Sequence, residues 1–210
     1  MAEPLYPLLS LSRHRIGIDG VGVTTLIAGA GCPLRCRWCI NRRLLAKAKP
    51  TPVTARELYE RVRVDDLYFR ATGGGVCFGG GEALLHADFI AAFGAICGES
   101  WRVNMETSLA VPQRAVETAA QCPGAFFIVD CKDMDDAIYR RYTGGDGARM
   151  RENLRLLLAL VGPERLRVRV PLIPEFNTPD DQARSVEALR ALGVTDIETF
   201  SYVIRDRSAP

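Results

Sequence analysis

Long apolar runs, a leader pattern, histidine and any surplus of one charge are all scarce in this chain. No eighteen consecutive apolar residues occur, so no membrane-spanning helix is expected. The first residues carry Glu3, Pro4 and Pro7 in place of the basic start, apolar run and small-residue cleavage site of a secretory leader. Seven cysteines, an odd number in a chain of 210 residues, argue against a disulfide framework, and a cytoplasmic setting with reduced thiols is expected. With 27 basic against 25 acidic residues and no basic stripe interleaved with aromatics, nucleic acid is not an expected partner. The two histidines, His14 and His86, are isolated and read as structural or solvated. At 48% hydrophobic, the chain is long enough for one sizeable core, and a single domain over residues 1–210 is expected.

The densest chemistry lies in Cys32, Cys36 and Cys39, three cysteines within eight residues. Spacings of three and then two intervening residues let one short loop bring three thiolates around one corner of a metal cluster. Thiolates select iron-sulfur clusters, zinc or copper(I). A closed structural zinc site takes four protein ligands, and no further cysteine follows until Cys77. Three ligands leave a metal position open to a small molecule. Arg35, Arg37, Arg42 and Arg43 flank this loop, either as solvated surface charges or as a docking face for an acidic electron donor.

Short apolar runs recur about every 25 to 30 residues with helical patterns between them. Residues 23–28, 76–78, 102–106, 126–130, 167–173 and 196–202 read as buried strands. Thr54, with Glu57 three positions on, reads as the cap of a helix over 55–64. Pro112 is expected in the first turn of a helix through Ala120, residues 150–161 form a leucine-rich amphipathic segment, and Pro179 opens a helix to Leu192 that stops at Gly193. Alternating strands and helices predict parallel strands joined by right-handed crossovers. Six units are too few for a closed eight-fold barrel, so the expected fold is α/β, a partial (β/α)6 TIM-like barrel.

In such folds ligands collect at the C-terminal ends of the strands. Those ends carry Cys32, Cys36 and Cys39; Gly79, Gly80, Gly81 and Glu82; Glu106, Thr107 and Ser108; Asp130 and Lys132; Arg169; and Ser201 and Tyr202. The triple glycine is either an ordinary tight turn or one that lets backbone groups approach a ligand. Asp130 and Lys132, two apart on an extended segment, point the same way. They form either a salt bridge or a clamp for a ligand bearing both charges, to which Glu106 could add a second carboxylate. Arg169 either snorkels at the barrel edge or faces a carboxylate ligand.

The cysteine loop with Trp38 before its last cysteine, together with the Gly80-Gly81-Glu82 turn, resembles the radical S-adenosylmethionine (radical SAM) superfamily. Asp19-Gly20-Val21-Gly22, Cys39-Ile40-Asn41, Asp130-Cys131-Lys132 and Arg169 five residues before Pro174 extend the likeness to the activases of glycyl radical enzymes, such as pyruvate formate-lyase activating enzyme. The resemblance implies a radical SAM core holding a four-iron four-sulfur cluster on Cys32, Cys36 and Cys39. S-Adenosylmethionine would bind its open iron and be cleaved reductively to a 5′-deoxyadenosyl radical that abstracts hydrogen. By the same resemblance Gly80, Gly81 and Glu82 hold the methionine amino end, and Glu106, Asp130, Lys132 and Arg169 surround the methionine and ribose. It further implies a monovalent cation near Glu106, Thr107 and Asp130, a glycyl radical enzyme as substrate, and a flavodoxin or ferredoxin as electron donor.

Several positions depart from the activase pattern. Ile40 and Val203 stand where histidines are usual, Glu106 replaces an aspartate, no cysteine-bearing ferredoxin-like insert lies between Asn41 and Thr72, and the chain ends soon after the sixth strand. Cys77, Cys97, Cys122 and Cys131 lie in or beside apolar segments and read as small hydrophobes. Two alternatives are a radical SAM enzyme acting on a small molecule, as a carboxy-deazaguanine synthase does, and a zinc-binding interaction module with Cys77 or Cys131 as fourth ligand.

Overall fold

The computed structural model describes residues 3–203. Eight strands form one sheet: β1 (Tyr6–Ile16), β2 (Val23–Gly29), β3 (Thr51–Val53), β4 (Gly75–Gly80), β5 (Arg102–Thr107), β6 (Ala125–Asp130), β7 (Leu166–Leu172) and β8 (Ile197–Ser201), in the order β3-β1-β2-β4-β5-β6-β7-β8. From β2 through β8 every neighbouring pair is parallel, which gives the six-stranded partial barrel expected from the sequence. The middle strands are legible because both faces are covered: Val76, Val103, Met105, Phe127, Val129, Val168 and Val170 are buried.

Two strands were not expected. β1 pairs antiparallel with β2, and β3 pairs antiparallel with β1, so they extend the sheet beyond the barrel. Only Tyr6 and Leu8 of β1 are buried, and its second half carries Arg13, His14 and Arg15, so no continuous apolar run marks it. Tertiary pairing overrides the weak local signal there.

The helices are α1 (Arg42–Lys47), α2 (Ala55–Val62), α3 (Asp66–Thr72), α4 (Ala87–Cys97), α5 (Gln113–Ala120), α6 (Asp136–Thr143), α7 (Gly147–Val161) and α8 (Pro179–Ala191). The Thr54 box is formed: the Glu57 amide donates to Thr54 Oγ1 at 3.2 Å, and the Thr54 amide donates to the Glu57 carboxylate at 2.8 Å. Thr178 and Asp181 cap α8 in the same way, with Pro179 in the first turn. Pro112 is the extended residue before α5 and not part of its first turn, because its ψ of 146° lies outside the helical region. α4 packs Phe89 and Phe93 onto Phe78 of β4, with Phe78 and Phe93 edge to face at 5.3 Å.

The β1–β2 turn folds inward. Gly17, Gly20 and Gly22 adopt positive φ, and at Gly20 a Cβ would lie 2.7 Å from Asn104 Oδ1, so only glycine fits there. The turn buries Asp19, 1% exposed, against the Arg15 guanidinium. From β7, the Arg169 guanidinium crosses the curved sheet to donate to the Ile18 carbonyl.

Candidate active site

The three cysteines lie in the loop from β2 to α1, at the C-terminal end of β2. Backbone bonds fix that loop to the end of α6: the Arg35 amide donates to the Thr143 carbonyl at 2.8 Å and the Arg37 amide to the Tyr142 carbonyl at 3.0 Å. Leu34 is buried beneath it. Arg42 donates to the Cys36 and Arg37 carbonyls at 3.0 and 2.8 Å, so this arginine shapes the loop from within. Arg35, Arg37 and Arg43 are exposed.

All three thiols are free, and burial pushes the Cys36 thiol up to about 11 and raises Cys32 as well. Among the described residues the three side chains are not drawn together into a preformed metal site, but three thiolates on one short loop would need a cationic partner, and a metal cluster supplies one. The Trp38 indole N–H is buried without a protein acceptor among the described residues, so it is available to a sulfide or thiolate. The donor set therefore fits an iron-sulfur cluster. Cys77 and Cys131, which a zinc module would recruit, are wholly buried on β4 and just after β6.

The glycine turn lies directly against this loop. The Gly81 amide donates to the Gly29 carbonyl at 3.1 Å and the Glu82 amide to the Gly31 carbonyl at 2.8 Å. Asn41 donates to the Gly80 carbonyl at 2.8 Å. Gly80 has φ of +84°, and a Cβ on Gly81 would sit 2.1 Å from the Gly31 carbonyl oxygen, so glycine is required by the neighbouring backbone. Glu82 is 3% exposed and bonded on both oxygens. It accepts from Thr107 Oγ1 at 2.6 Å, from the Ser108 hydroxyl and amide at 2.6 and 2.8 Å, and from the Leu84 amide at 3.1 Å. Glu82 thus clamps the turn to the end of β5, a role that the sequence does not disclose.

The charged groups meet across the barrel mouth. Lys132 Nζ lies 2.9 Å from Asp130 and 3.1 Å from the Tyr202 hydroxyl. Burial alone would lower the Lys132 ammonium, but Asp130 and Tyr202 outweigh it and hold it charged. Arg169 donates to Glu106 at 2.9 Å and to Glu198 at 3.2 Å. Arg169 is therefore not snorkelling: each of its nitrogens has a protein acceptor, and two of its five N–H donors remain. Glu198, in the partly exposed strand β8, was not expected at the site; its position opposite Arg169 in the β7–β8 register is its one signal.

Burial and the carboxylate of Asp130 push Glu106 up to about 7, against the pull of Arg169. Its ordinary value of 4.5 is the lower one, so its protonation favours the folded state below that value, and the contribution disappears as pH rises through 7. Urea unfolding between pH 4.5 and 8 is therefore expected to move the stability difference between wild type and Glu106→Gln in the variant's favour by roughly 2 kcal/mol as pH rises. A flat difference would remove the raised titration.

The profile of the Radical SAM superfamily matches residues 26–208. The chain belongs to the radical SAM superfamily. This radical SAM protein is 28% identical over 231 residues to the pyruvate formate-lyase 2-activating enzyme of Escherichia coli strain K12, a match covering 93% of the chain and 76% of that enzyme. It is 26% identical over 264 residues to the isethionate sulfite-lyase activating enzyme of Nitratidesulfovibrio vulgaris, covering 91% of the chain and 85% of the relative. Among solved structures, Streptococcus suis SuiB bound to its precursor peptide SuiA superposes with a TM-score of 0.66 at 14% identity, over 85% of this chain and 38% of that one. The enzyme anSMEcpe with bound AdoMet superposes with a TM-score of 0.59 at 14% identity, over 82% and 47% of the two chains. The radical SAM protein thus spans less than half the length of these two structures, and the likeness shows the partial-barrel fold.

Ile40 and Val203, the two departures beside the site, are 94% and 80% exposed, so neither side chain is held in the mouth. Among the described residues, no helix is long and apolar enough to cross a membrane.

Proposed function

We propose that this radical SAM protein activates a glycyl radical enzyme. The observation that carries the reading is the junction of the cysteine loop and the glycine turn: one loop presents three free thiols, and the turn that would receive the ligand is bonded to its first residues. Both relatives compared above carry the name of activating enzymes of lyases, and the match to each covers more than nine-tenths of this chain.

Cys32, Cys36 and Cys39 would hold the four-iron four-sulfur cluster. Bound there, the cluster would supply the electron for reductive cleavage of S-adenosylmethionine, chemistry that would allow hydrogen to be taken from a glycine of the partner. Gly80 and Gly81 bring backbone close to the methionine amino end, and Glu82 holds them there. Lys132 has three N–H donors, of which Asp130 and Tyr202 take two, so one remains for the ligand's carboxylate. Trp38 and Leu34 would restrict water around Cys36 and Cys39, which are less exposed than Cys32. Exposed Arg35, Arg37 and Arg43 give a basic face beside the cluster loop for an acidic flavodoxin or ferredoxin donor, in a cytoplasmic setting.

The test is anaerobic reconstitution with iron and sulfide, dithionite reduction, and addition of S-adenosylmethionine with the glycyl radical enzyme encoded nearest in the genome. The expected result is 5′-deoxyadenosine together with a glycyl radical signal in electron paramagnetic resonance. Deoxyadenosine with no protein radical would turn the reading to a small-molecule substrate.

A further inference from the structure

Each group expected to bind a monovalent cation already meets a protein cation or donor, with only Glu106 Oε2 and Asp130 Oδ1 outside these pairs. Glu106 meets the Arg169 guanidinium at 2.9 Å, and Asp130 meets the Lys132 ammonium at 2.9 Å. Thr107 Oγ1 donates to Glu82 at 2.6 Å and accepts from the Leu109 amide at 2.9 Å. The extra methylene of Glu106 matters here. Its carboxylate reaches across β6 to β7, where a guanidinium is held by two further contacts, to Glu198 and to the Ile18 carbonyl. The residues present do not fit a bound metal cation, because two covalently attached cations already occupy its neighbours.

We propose that Arg169 and Lys132 are built-in counter-cations, so that this protein binds its sulfonium ligand without sodium or potassium. Charge balance points the same way. Asp130 and Glu198 place two carboxylates beside these two cations, and Glu106, pushed up to about 7, adds a third that is only partly ionised near neutral pH, so the excess is at most one negative charge. S-Adenosylmethionine arrives with a sulfonium, an ammonium and a carboxylate, one net positive charge, which uses up that excess. An added metal cation would leave a positive charge uncompensated in a low-dielectric site. A guanidinium also differs from a bound ion in one functional respect: its position is set by chain geometry and not by the salt outside.

The proposal rests on S-adenosylmethionine being the ligand, and the experiment keeps the two apart. Binding of S-adenosylmethionine to the anaerobically reconstituted protein is measured by calorimetry in sodium, potassium and tetramethylammonium chloride at equal ionic strength, alongside thermal unfolding of the same samples without ligand. Wild-type affinities within about twofold in the three salts, and melting temperatures within about 1 °C, are expected because no cation is linked to either equilibrium. Affinity or melting temperature that rises specifically with sodium or potassium, by about fivefold or by several degrees, would overturn the proposal. Arg169→Gln is expected to bind about tenfold more weakly in tetramethylammonium and to regain affinity in sodium or potassium, as a metal ion takes the vacated place. If that variant does not fold, the wild-type comparison decides. Absence of ligand binding in every salt would defeat the functional reading, while the unfolding measurement still decides the cation question.

Discussion

Replacing Cys36 by alanine is expected to abolish 5′-deoxyadenosine formation while leaving the fold intact. Cys36 is the central member of the loop, and its carbonyl, not its sulfur, carries the loop's internal bonds: it accepts from the Cys39 amide at 3.3 Å and from Arg42 at 3.0 Å. Alanine keeps that carbonyl and removes one of three thiolates. A cluster held by two cysteines loses its third anchor, and losses at groups merely supporting metal ligands already run from about 10-fold to 100-fold. Deoxyadenosine at the background level is therefore expected, with loss of the reconstituted cluster's visible absorption. Circular dichroism and melting temperature of the metal-free protein should match wild type. Retained cluster and turnover in Cys36→Ala would remove these three cysteines as the ligand set.

Lys132→Met should give the largest loss of ligand affinity among the charged positions, with Tyr202→Phe as its control. Lys132 is 8% exposed and holds Asp130 at 2.9 Å. Methionine matches its stem and removes only the charge, so Asp130 is left without its cation. Breaking a buried pair from one side costs about 3 to 5 kcal/mol; with Asp130 a third exposed, the lower end applies. The donor left for the ligand disappears as well. The broken pair lowers stability, while loss of a charged hydrogen bond to the ligand, about 1.5 to 3 kcal/mol, predicts roughly 10- to 100-fold weaker binding of S-adenosylmethionine. Tyr202→Phe removes one neutral bond at 3.1 Å, worth about 1 kcal/mol, and should stay within roughly tenfold of wild type. Equal affinities for the two variants would show that the ammonium is structural and does not meet the ligand.

The elements that were legible are those whose signal is local. The middle parallel strands appear as apolar runs because they are covered on both faces, and α2 and α8 announce themselves through Thr54, with Glu57 three residues on, and through Pro179. α4 was not anticipated, because its sequence ADFIAAFGAIC is almost uniformly apolar and shows no polar face from which a period could be read. β1 failed for the opposite reason: its exposed second half hides a strand that exists through its pairing with β2.

At the site the same division holds, residue by residue. The loop Cys32 to Cys39, and the placing of Gly80, Asp130 and Lys132 at strand ends, follow from spacing, because a metal-binding loop and a strand terminus are determined by neighbours a few positions away. What those side chains touch was decided by the tertiary structure. Glu82 reads as a ligand contact but turns onto Thr107 and Ser108, 25 and 26 residues on. Arg169 reads as either snorkelling or facing a carboxylate ligand, and the fold gives it Glu106, 63 residues back, and Glu198 on the strand beside it. A buried charge selects its partner by distance through space in a medium that screens poorly, and only the curvature of the sheet sets those distances. The sequence alone therefore determined the chemistry the protein can host, and the closing of the barrel decided which charges are left for a ligand.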